Sequence, residues 1–294
     1  MSTTQKDLNA DRLVNGPDIK KLGIIAGGGQ IPARLADCCE KKGIEVFVCA
    51  FEGQTDKALT QGRHHIWSSL GAAGKIIKTF KDHNVHDLVL IGSIRRPSLA
   101  ELKPDIKTAE FFARIGLKAL GDNDLLELLK DELGREGFTV HGVQSFMQDL
   151  LAPCGVLGKH KPPKALQDTI KRGVIVSQEI GRLDIGQSVL VQQGHVIAVE
   201  AAEGTDEMIR RAKAYMRKGG GGVLVKTCKP MQHKYLDLPT IGPDTIMVAV
   251  ECGLSGVVIE AGSSLLLDPE IVRDIADRHK LFVIGIDTAD YMSS

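Results

Sequence analysis

The sequence predicts an α/β protein of two domains, a Rossmann-like N-terminal domain and a second α/β domain at the C-terminus. Short apolar runs alternate with amphipathic segments along most of the chain, which is typical of sheets covered by helices. A glycine-rich turn follows the first apolar run, as in nucleotide-binding βα units. The length of 294 residues suits two domains of ordinary size.

The first domain is predicted at residues 21–150, after a flexible polar extension of residues 1–20. A strand, an amphipathic helix and a second strand open it, and parallel pairing of the two strands is expected because the helix joins them. The later elements of the domain are a helix at 75–83, a strand at 87–92 and helices at 107–120 and 124–133.

Residues 151–164 (LAPCGVLGKHKPPK) interrupt the periodic pattern with prolines and glycines, and they are predicted to form a linker. The second domain then covers residues 165–290. Its predicted strands and helices are a helix at 165–181, a hairpin of strands 187–193 and 195–201, a helix capped by Thr205, strands at 223–226, 256–260 and 281–286, and a helix capped by Asp268.

Composition excludes several classes of protein. Lys plus Arg equals Asp plus Glu at 37 each, so the basic excess that bulk nucleic-acid binding requires is absent. No apolar run approaches the roughly 20 residues that span a bilayer. The six cysteines show no C-x-x-C pair and no zinc-ligand spacing. We therefore expect a cytoplasmic protein with reduced thiols, which is able to touch the inner face of the inner membrane peripherally.

The glycine turn Gly27–Gly28–Gly29, followed by Gln30, lies between the first strand and the first helix. Glycines at this place let backbone N–H groups approach a phosphate at a helix N-terminus. The dinucleotide fingerprint is incomplete, because Pro32 stands where the third glycine belongs. The turn predicts a nucleotide or sugar-phosphate site, but by itself it leaves two alternatives open, a tight turn without ligand and an NAD-linked oxidoreductase.

Three acidic groups fall at element edges: Asp122 with Asp124, Glu203 with Asp206, and Asp237. Asp237 belongs to the proline-rich segment 229–245 (KPMQHKYLDLPTIGPDT), and irregular segments of this length are often functional. Lys226, Lys229 and Lys234 provide positive charge for phosphate oxygens. The Asp237 carboxylate is a suitable ligand for a hard cation such as Mg²⁺. This combination is what phosphoryl transfer requires.

Several motifs together resemble one family, the UDP-2,3-diacylglucosamine pyrophosphatases of lipid A biosynthesis that lack metallophosphoesterase motifs, the alphaproteobacterial type. The resemblance runs over residues 21–287, and its C-terminal motifs are the specific ones. The matching motifs are LGIIAGGGQIP, GRLDIGQ (181–187), EGTDEM (203–208), GGVLVK (221–226) and KPMQHKYLDLPTIGPDT. The chain departs from the family at His233, where relatives often carry an acidic residue.

The resemblance implies a Mg²⁺-dependent hydrolase that cleaves the pyrophosphate of UDP-2,3-diacylglucosamine to UMP and 2,3-diacylglucosamine 1-phosphate (lipid X). Its essential aspartate corresponds to Asp237, and a homodimer is expected. The expected metal ligands are Asp237, Asp206, Glu203, Asp122 and Asp124. The expected substrate contacts are Gly27, Gly28, Gly29, Gln30, Lys226, Lys229, Gln232 and Thr240.

Two alternatives from other classes stay open. An NAD-linked Rossmann oxidoreductase predicts a complete glycine fingerprint and a dedicated hydride-transfer acid or base. A non-catalytic protein that binds a nucleotide sugar or a lipid would not need the charged segment from Lys229 to Asp237. An assay for UMP release in the presence of Mg²⁺ separates these three hypotheses.

Overall fold

The structure, a computed structural model, describes residues 19–95, 102–115, 122–230 and 238–292. The chain divides into two compact units, and the change from the first to the second falls between Gln148 and Asp149. Each unit contains its own main sheet with helices packed on it, which confirms the predicted α/β class. Among the helices described, none is long and apolar enough to cross a membrane.

The first unit is built on a parallel sheet. Its strands are β1 (Lys21–Ala26), β2 (Glu45–Phe51), β3 (His64–Ser68), β4 (Asp87–Ile91) and β5 (Thr139–Val140). Its helices are α1 (Ile31–Lys41), α2 (Ala73–Asp82), α3 (Ile106–Ile115) and α4 (Asp122–Arg135). The spatial order is β3-β2-β1-β4-β5, so the strand sequence reverses between β1 and β4. Open α/β sheets bind ligands at such a switch point, outside the carboxyl ends of the strands.

A cluster of aromatic rings forms the centre of the first core. Phe80 of α2 is fully buried and packs edge-on against Phe47 and Phe138, with ring centroids 5.8 and 6.1 Å away. β1 carries Gly23 beneath this helix, where a Cβ atom would lie only 2.5 Å from Leu88 Cδ2. The glycine therefore lets the side chains beneath α2 pack closely on the sheet.

The second unit contains a mixed sheet of six strands and a small parallel pair. The strands are β6 (Gly155–Leu157), β7 (Ser188–Gln192), β8 (His195–Val199), β9 (Val223–Lys226), β10 (Thr240–Ile241), β11 (Gly256–Glu260), β12 (Leu265–Leu266) and β13 (Phe282–Ile286). The helices are α5 (Gln167–Arg182), α6 (Thr205–Ala212), α7 (Pro243–Glu251), α8 (Pro269–Arg278) and α9 (Ala289–Met292). The large sheet has the order β6-β13-β11-β9-β7-β8, and β9, β11 and β13 run parallel to one another.

Both faces of this sheet are covered by apolar side chains. Along β9, Val223 and Val225 pack against α5, whereas Leu224 joins the core beneath α6, α7 and α8. A central strand that is buried on both faces has a continuous apolar sequence, and β9 in the motif GGVLVK follows this pattern. The apolar run stops at Lys226, so the first charged side chain of β9 appears at its carboxyl end.

Two predicted elements have contrasting outcomes. The hairpin is confirmed, and Gln193 and Gly194 both have positive φ (50° and 75°), as a two-residue hairpin turn requires. The predicted linker is not entirely irregular, because its residues Gly155–Leu157 form β6 and pair antiparallel with β13. This three-residue edge strand has a partner about 130 residues later in the chain, so no local pattern predicts it.

Candidate active site

The glycine turn of the first unit lies between β1 and α1, at the switch point of the sheet. The N–H of Gly27 donates to the Ile91 carbonyl over 2.8 Å, and Gly28 exchanges two backbone hydrogen bonds with Ser93. A Cβ atom on Gly27 would lie 2.5 Å from the Ser93 carbonyl oxygen, so any side chain would collide with the backbone. These two glycines fasten the turn to the end of β4, and their N–H groups are used within the protein.

Gly29 and Gln30 form the solvent-facing part of the same turn. Gly29 has a φ of 92°, and a Cβ atom there would meet no other atom within 4 Å. Gln30 precedes α1 as its N-cap without capping it through its side chain. The first N–H groups of a helix have no intrahelical partner and lie at the positive end of its dipole. A phosphate at this turn would therefore bind amides from Gly29 onward, while Gly27 and Gly28 shape the turn.

Gln54 supports this edge of the first unit, and sequence analysis did not identify it. Its Nε2 donates to the Arg95 carbonyl over 3.1 Å, and its Oε1 accepts the Arg95 N–H over 3.0 Å. The carboxamide thus holds the backbone that leaves β4. A single glutamine in a loop has no sequence signature, so only the structure reveals this role.

A buried charged network occupies the carboxyl end of β9 in the second unit. Lys226 is only 7% exposed, and its Nζ donates to Thr205 Oγ1 over 2.9 Å and to the Thr240 carbonyl over 3.0 Å. The Thr205 hydroxyl donates to Glu200 Oε1 over 2.7 Å, and Glu200 Oε2 accepts the Gln187 N–H over 3.2 Å. One hydroxyl therefore links an ammonium to a carboxylate, which offsets the cost of burying both charges.

The structure corrects the predicted role of Thr205. The N-cap of α6 is Gly204, which has a φ of 84°, and no side chain caps this helix. Thr205 is the first helical residue, and its hydroxyl serves the Lys226 network instead, with Ser188 Oγ 3.2 Å away. A Ser or Thr before an apolar helical stripe usually caps it, so the sequence pattern alone favours the wrong role.

Three side chains bind the segment that follows β9, residues 228 and 229. Glu260, at the end of β11, accepts the Cys228 N–H over 2.9 Å, and Gln178 of α5 donates to the Cys228 carbonyl over 3.0 Å. Lys229 forms an ion pair of 2.6 Å with Asp184, and both side chains are largely buried. Glu260 and Asp184 were not predicted as site residues, because the direction of a carboxylate depends on tertiary packing.

The predicted substrate-binding residues of the second unit partly come together. Lys226 and Thr240 are in direct contact, and Thr240 belongs to the small β10–β12 pair, where Pro239 accepts the Leu265 N–H over 2.8 Å. Lys229 follows the end of β9 by three residues, and its side chain pairs with Asp184. Gln232 and Asp237 are outside the described residues, so their predicted roles stay predictions.

The acidic residues near α6 differ in what they contact. Glu203 accepts hydrogen bonds from Arg211, and its pKa lies below its usual value, first through its own backbone N–H and then through the Arg211 guanidinium. Asp206 Oδ1 accepts the hydroxyl of Thr245, from the first turn of α7, over 2.8 Å. Carboxylates that bind metals are commonly oriented by such a neutral hydrogen bond. Asp206 fits a hard cation on this ground, whereas the Glu203 carboxylate is engaged by a cation of the protein.

The other predicted metal ligands cannot be compared in the same way. Asp122 and Asp124 begin α4 in the first unit, and their side chains are not among those the structure describes. Within residues 19–95, 102–115, 122–230 and 238–292, no three His, Cys, Asp or Glu side chains are grouped as a metal site.

Two buried polar atoms in the second unit have no hydrogen-bond partner among the described residues, Gln187 Oε1 and Ser264 Oγ. Gln187 directly precedes β7, whose first residue pairs with Lys226, so it lies beside the charged network. Ser264 lies between β11 and β12 and is 1% exposed. An unsatisfied buried polar group costs about 1–3 kcal/mol. A buried water molecule is the usual partner of such enclosed polar atoms.

The chain is thus a two-unit α/β protein with a candidate site at the strand ends of each unit, a glycine turn in the first and a lysine network in the second. Open α/β sheets bind ligands at such strand ends. The chain belongs to the LpxI family: the model of the LpxI N-terminal domain matches residues 21–150, and that of the LpxI C-terminal domain matches residues 153–284.

A relative from Caulobacter vibrioides (strain ATCC 19089 / CIP 103742 / CB 15), the UDP-2,3-diacylglucosamine pyrophosphatase LpxI, is 38% identical over 278 residues. The match covers 92% of this chain and 98% of the relative, so it includes both domains.

Two solved structures show weak similarity to the chain. The biotin carboxylase subunit of pyruvate carboxylase is 12% identical with a TM-score of 0.25, over 63% of this chain and 36% of that chain. The biotin carboxylase domain of Hydrogenobacter thermophilus 2-oxoglutarate carboxylase is 13% identical with a TM-score of 0.23, over 66% of this chain and 40% of that chain. The chain thus spans well under half of either structure, and scores this low carry no argument about function.

Proposed function

We propose that this protein hydrolyses UDP-2,3-diacylglucosamine to UMP and 2,3-diacylglucosamine 1-phosphate in lipid A biosynthesis. The observation that carries the proposal is the match to the Caulobacter pyrophosphatase, which extends over both domains and nearly the full length of each chain. The buried lysine network at the end of β9 supports it, because charge neutralisation at a strand edge is what pyrophosphate cleavage needs.

In the proposed reaction, a water molecule adds to one phosphorus of the pyrophosphate. The bond from that phosphorus to the bridging oxygen breaks, and the bridging oxygen leaves with the other phosphate. We propose Asp237 as the group that orients the water and takes its proton, which then passes to solvent. Lys226 has a fixed position because Thr205 and Thr240 hold its Nζ, so its charge acts at the strand edge without reorganising.

We further propose that Mg²⁺ binds at the same edge, with Asp206 and Asp237 as oxygen ligands. A bound Mg²⁺ supplies charge stabilisation to the phosphate oxygens. The hydroxyl of Thr245 keeps the Asp206 carboxylate in place for this role. Glu203 is the weaker candidate, because Arg211 competes for its carboxylate. The glycine turn is proposed to bind a phosphate of the substrate through the amides from Gly29 onward.

The test is incubation of the purified full chain with UDP-2,3-diacylglucosamine and Mg²⁺, followed by quantification of both products. We expect UMP and lipid 1-phosphate in equal amounts. Parallel reactions with NAD⁺ and NADH, followed by nicotinamide absorbance, test the oxidoreductase alternative. Binding of the substrate without release of UMP would contradict the proposal and favour a non-catalytic binding protein.

We also propose a homodimer that contacts the inner face of the inner membrane peripherally from the cytoplasm. Light scattering of the purified chain tests the dimer, and sedimentation with vesicles tests the membrane contact. A monomer that stays in the supernatant would contradict both proposals.

A further inference from the structure

The motif GRLDIGQ, residues 181–187, has no role in the chemistry above, yet it lies directly against the candidate site. A Cβ atom on Gly181 would lie 3.2 Å from both Lys229 Cα and Pro230 Cδ. A Cβ atom on Gly186 would lie 2.1 Å from the Glu200 carbonyl oxygen. The two glycines therefore let this segment approach the backbone on both sides of the charged network.

Between these glycines, the usual placement of polar and apolar side chains is reversed. Asp184, with a φ of 53°, turns its carboxylate inward to the Lys229 ammonium. Its neighbours Leu183 and Ile185 are 59% and 47% exposed. Single exposed apolar residues are common on protein surfaces. Here, however, the two exposed side chains flank Asp184, whose ion pair with Lys229 ties this part of the chain to the candidate site.

We propose that Leu183 and Ile185 form an apolar edge that contacts an acyl chain of the substrate. This inference rests on the proposed function. UDP-2,3-diacylglucosamine carries its acyl chains on the sugar next to the pyrophosphate, so apolar surface is needed close to the phosphate site. A bilayer is the less favoured occupant, because the two neighbouring cations are engaged: Arg182 pairs with Glu179 and Lys229 pairs with Asp184.

The test compares two substrates, UDP-glucosamine with two tetradecanoyl chains and the same molecule with two butanoyl chains, in the same detergent. For the variant Leu183→Ser/Ile185→Ser we expect KM for the tetradecanoyl substrate to rise about tenfold with kcat unchanged, because apolar contact area is lost. The butanoyl substrate should show no change in either constant. Thermal unfolding of the variant checks that it is folded, and the two single substitutions provide the same test if the double variant is not.

Tyr215→Ser is the matched control. Tyr215 is 70% exposed and follows the C-terminal end of α6, whereas Thr205 is at the N-terminal end of that helix. It should leave both substrates unaffected. An equal rise in KM for both substrates, or no rise for either, would overturn the proposal. So would a variant that loses only its adsorption to vesicles. If the wild-type chain releases no UMP at all, the proposed function fails, and calorimetric binding of the two substrates then decides on the apolar edge by the same comparison.

Discussion

In the first unit, uncharged hydrogen bonds to the backbone build the edge of the sheet. Gly27 and Gly28 are bonded to the backbone that follows β4, and the Gln54 carboxamide holds the backbone of Arg95. In the second unit, buried charged side chains build the corresponding edge, with Lys226 linked to Glu200 through a hydroxyl. The first edge thus offers amide donors on a rigid turn, whereas the second offers fixed charges.

We propose that this difference separates substrate binding at the first edge from chemistry at the second. Backbone amides hold a phosphate in the ground state and in the transition state alike, so their loss should weaken binding. Charges and carboxylates act on the bonds that change, so their loss should lower kcat. Substitutions at the two edges therefore test the comparison directly.

Asp237→Ala should have the largest effect, because it removes the proposed base and metal ligand. We expect kcat to fall at least about 100-fold with a small change in KM. UMP release and thermal unfolding are measured on the same variant. Asp244→Ala, an exposed acid in the first turn of α7, is the control and should stay near wild type. Near-normal turnover by a folded Asp237→Ala variant would remove Asp237 from the mechanism.

Thr205→Val should come next. The variant removes the hydroxyl between Lys226 and Glu200, which leaves both buried charges short of a partner and costs about 1–3 kcal/mol of unfolding free energy. In the variant, Lys226 Nζ keeps its bond to the Thr240 carbonyl but loses its bond to Thr205. Its charge is then less firmly positioned at the strand edge, so we expect kcat to fall about tenfold. Urea unfolding and steady-state kinetics measure the two effects. Thr205→Ser should restore both, and equal stability of the Val and Ser variants would show that the network is unimportant.

At the glycine turn, two substitutions should act differently. Gly29→Val finds open space, so the variant should fold, although its left-handed φ costs about 1–2 kcal/mol. We expect KM to rise about fivefold with kcat little changed. Gly27→Val collides with the Ser93 carbonyl and should chiefly lower the unfolding free energy. Unchanged KM in a folded Gly29→Val variant would place the phosphate elsewhere.

The smallest effect concerns the scaffold of the first unit. Asp105 accepts the N–H groups of Thr108 and Gly74, each over 2.8 Å, and so caps the starts of α3 and α2. Burial raises the pKa of Asp105, but these hydrogen bonds together lower it below its usual value. The ionised carboxylate therefore stabilises the fold above the unfolded pKa of about 4, and this stability is lost as pH falls through the lower folded value.

Asp105→Asn should lower the free energy of unfolding by about 1 kcal/mol at neutral pH, because one of the two carboxylate oxygens that accept hydrogen bonds is replaced by an amide nitrogen. The difference from wild type should shrink on acidification, while kcat stays the same. Unfolding by urea at several pH values gives this difference, and a pH-independent cost would show that the carboxylate charge contributes nothing.

Local patterns predict the buried parallel strands well, because β1, β4, β9 and β11 are apolar runs bounded by turns. They fail for β3, whose first residues His64 and His65 are exposed on an edge strand. Four of the six cysteines are buried, Cys39, Cys49, Cys228 and Cys252. Burial raises the pKa of the Cys39 and Cys49 thiols to about 12.

For the candidate site, the sequence identifies Lys226 and Thr240 but not how they are connected. Glu260 and Asp184 contact residues 32 and 45 positions away, and Lys226 contacts Thr205 across 21 positions, so these contacts depend on strand order and not on spacing. Glu200 lies only 5 positions from Thr205, but its role depends on the link from Thr205 to Lys226. The GRLDIGQ motif can be recognised as a pattern, but only the structure shows that its carboxylate turns inward.

We propose that the catalytic centre lies in the second unit, at the carboxyl end of β9. The most direct test compares how UMP release depends on Mg²⁺ in the wild type and in Asp206→Asn. We expect chelation to abolish activity and added Mg²⁺ to restore it. In Asp206→Asn, half-maximal activity should need about tenfold more Mg²⁺, whereas Glu203→Gln should match wild type because Arg211 already engages that carboxylate. Full activity in excess chelator, or an unchanged Mg²⁺ requirement in Asp206→Asn, would contradict the account.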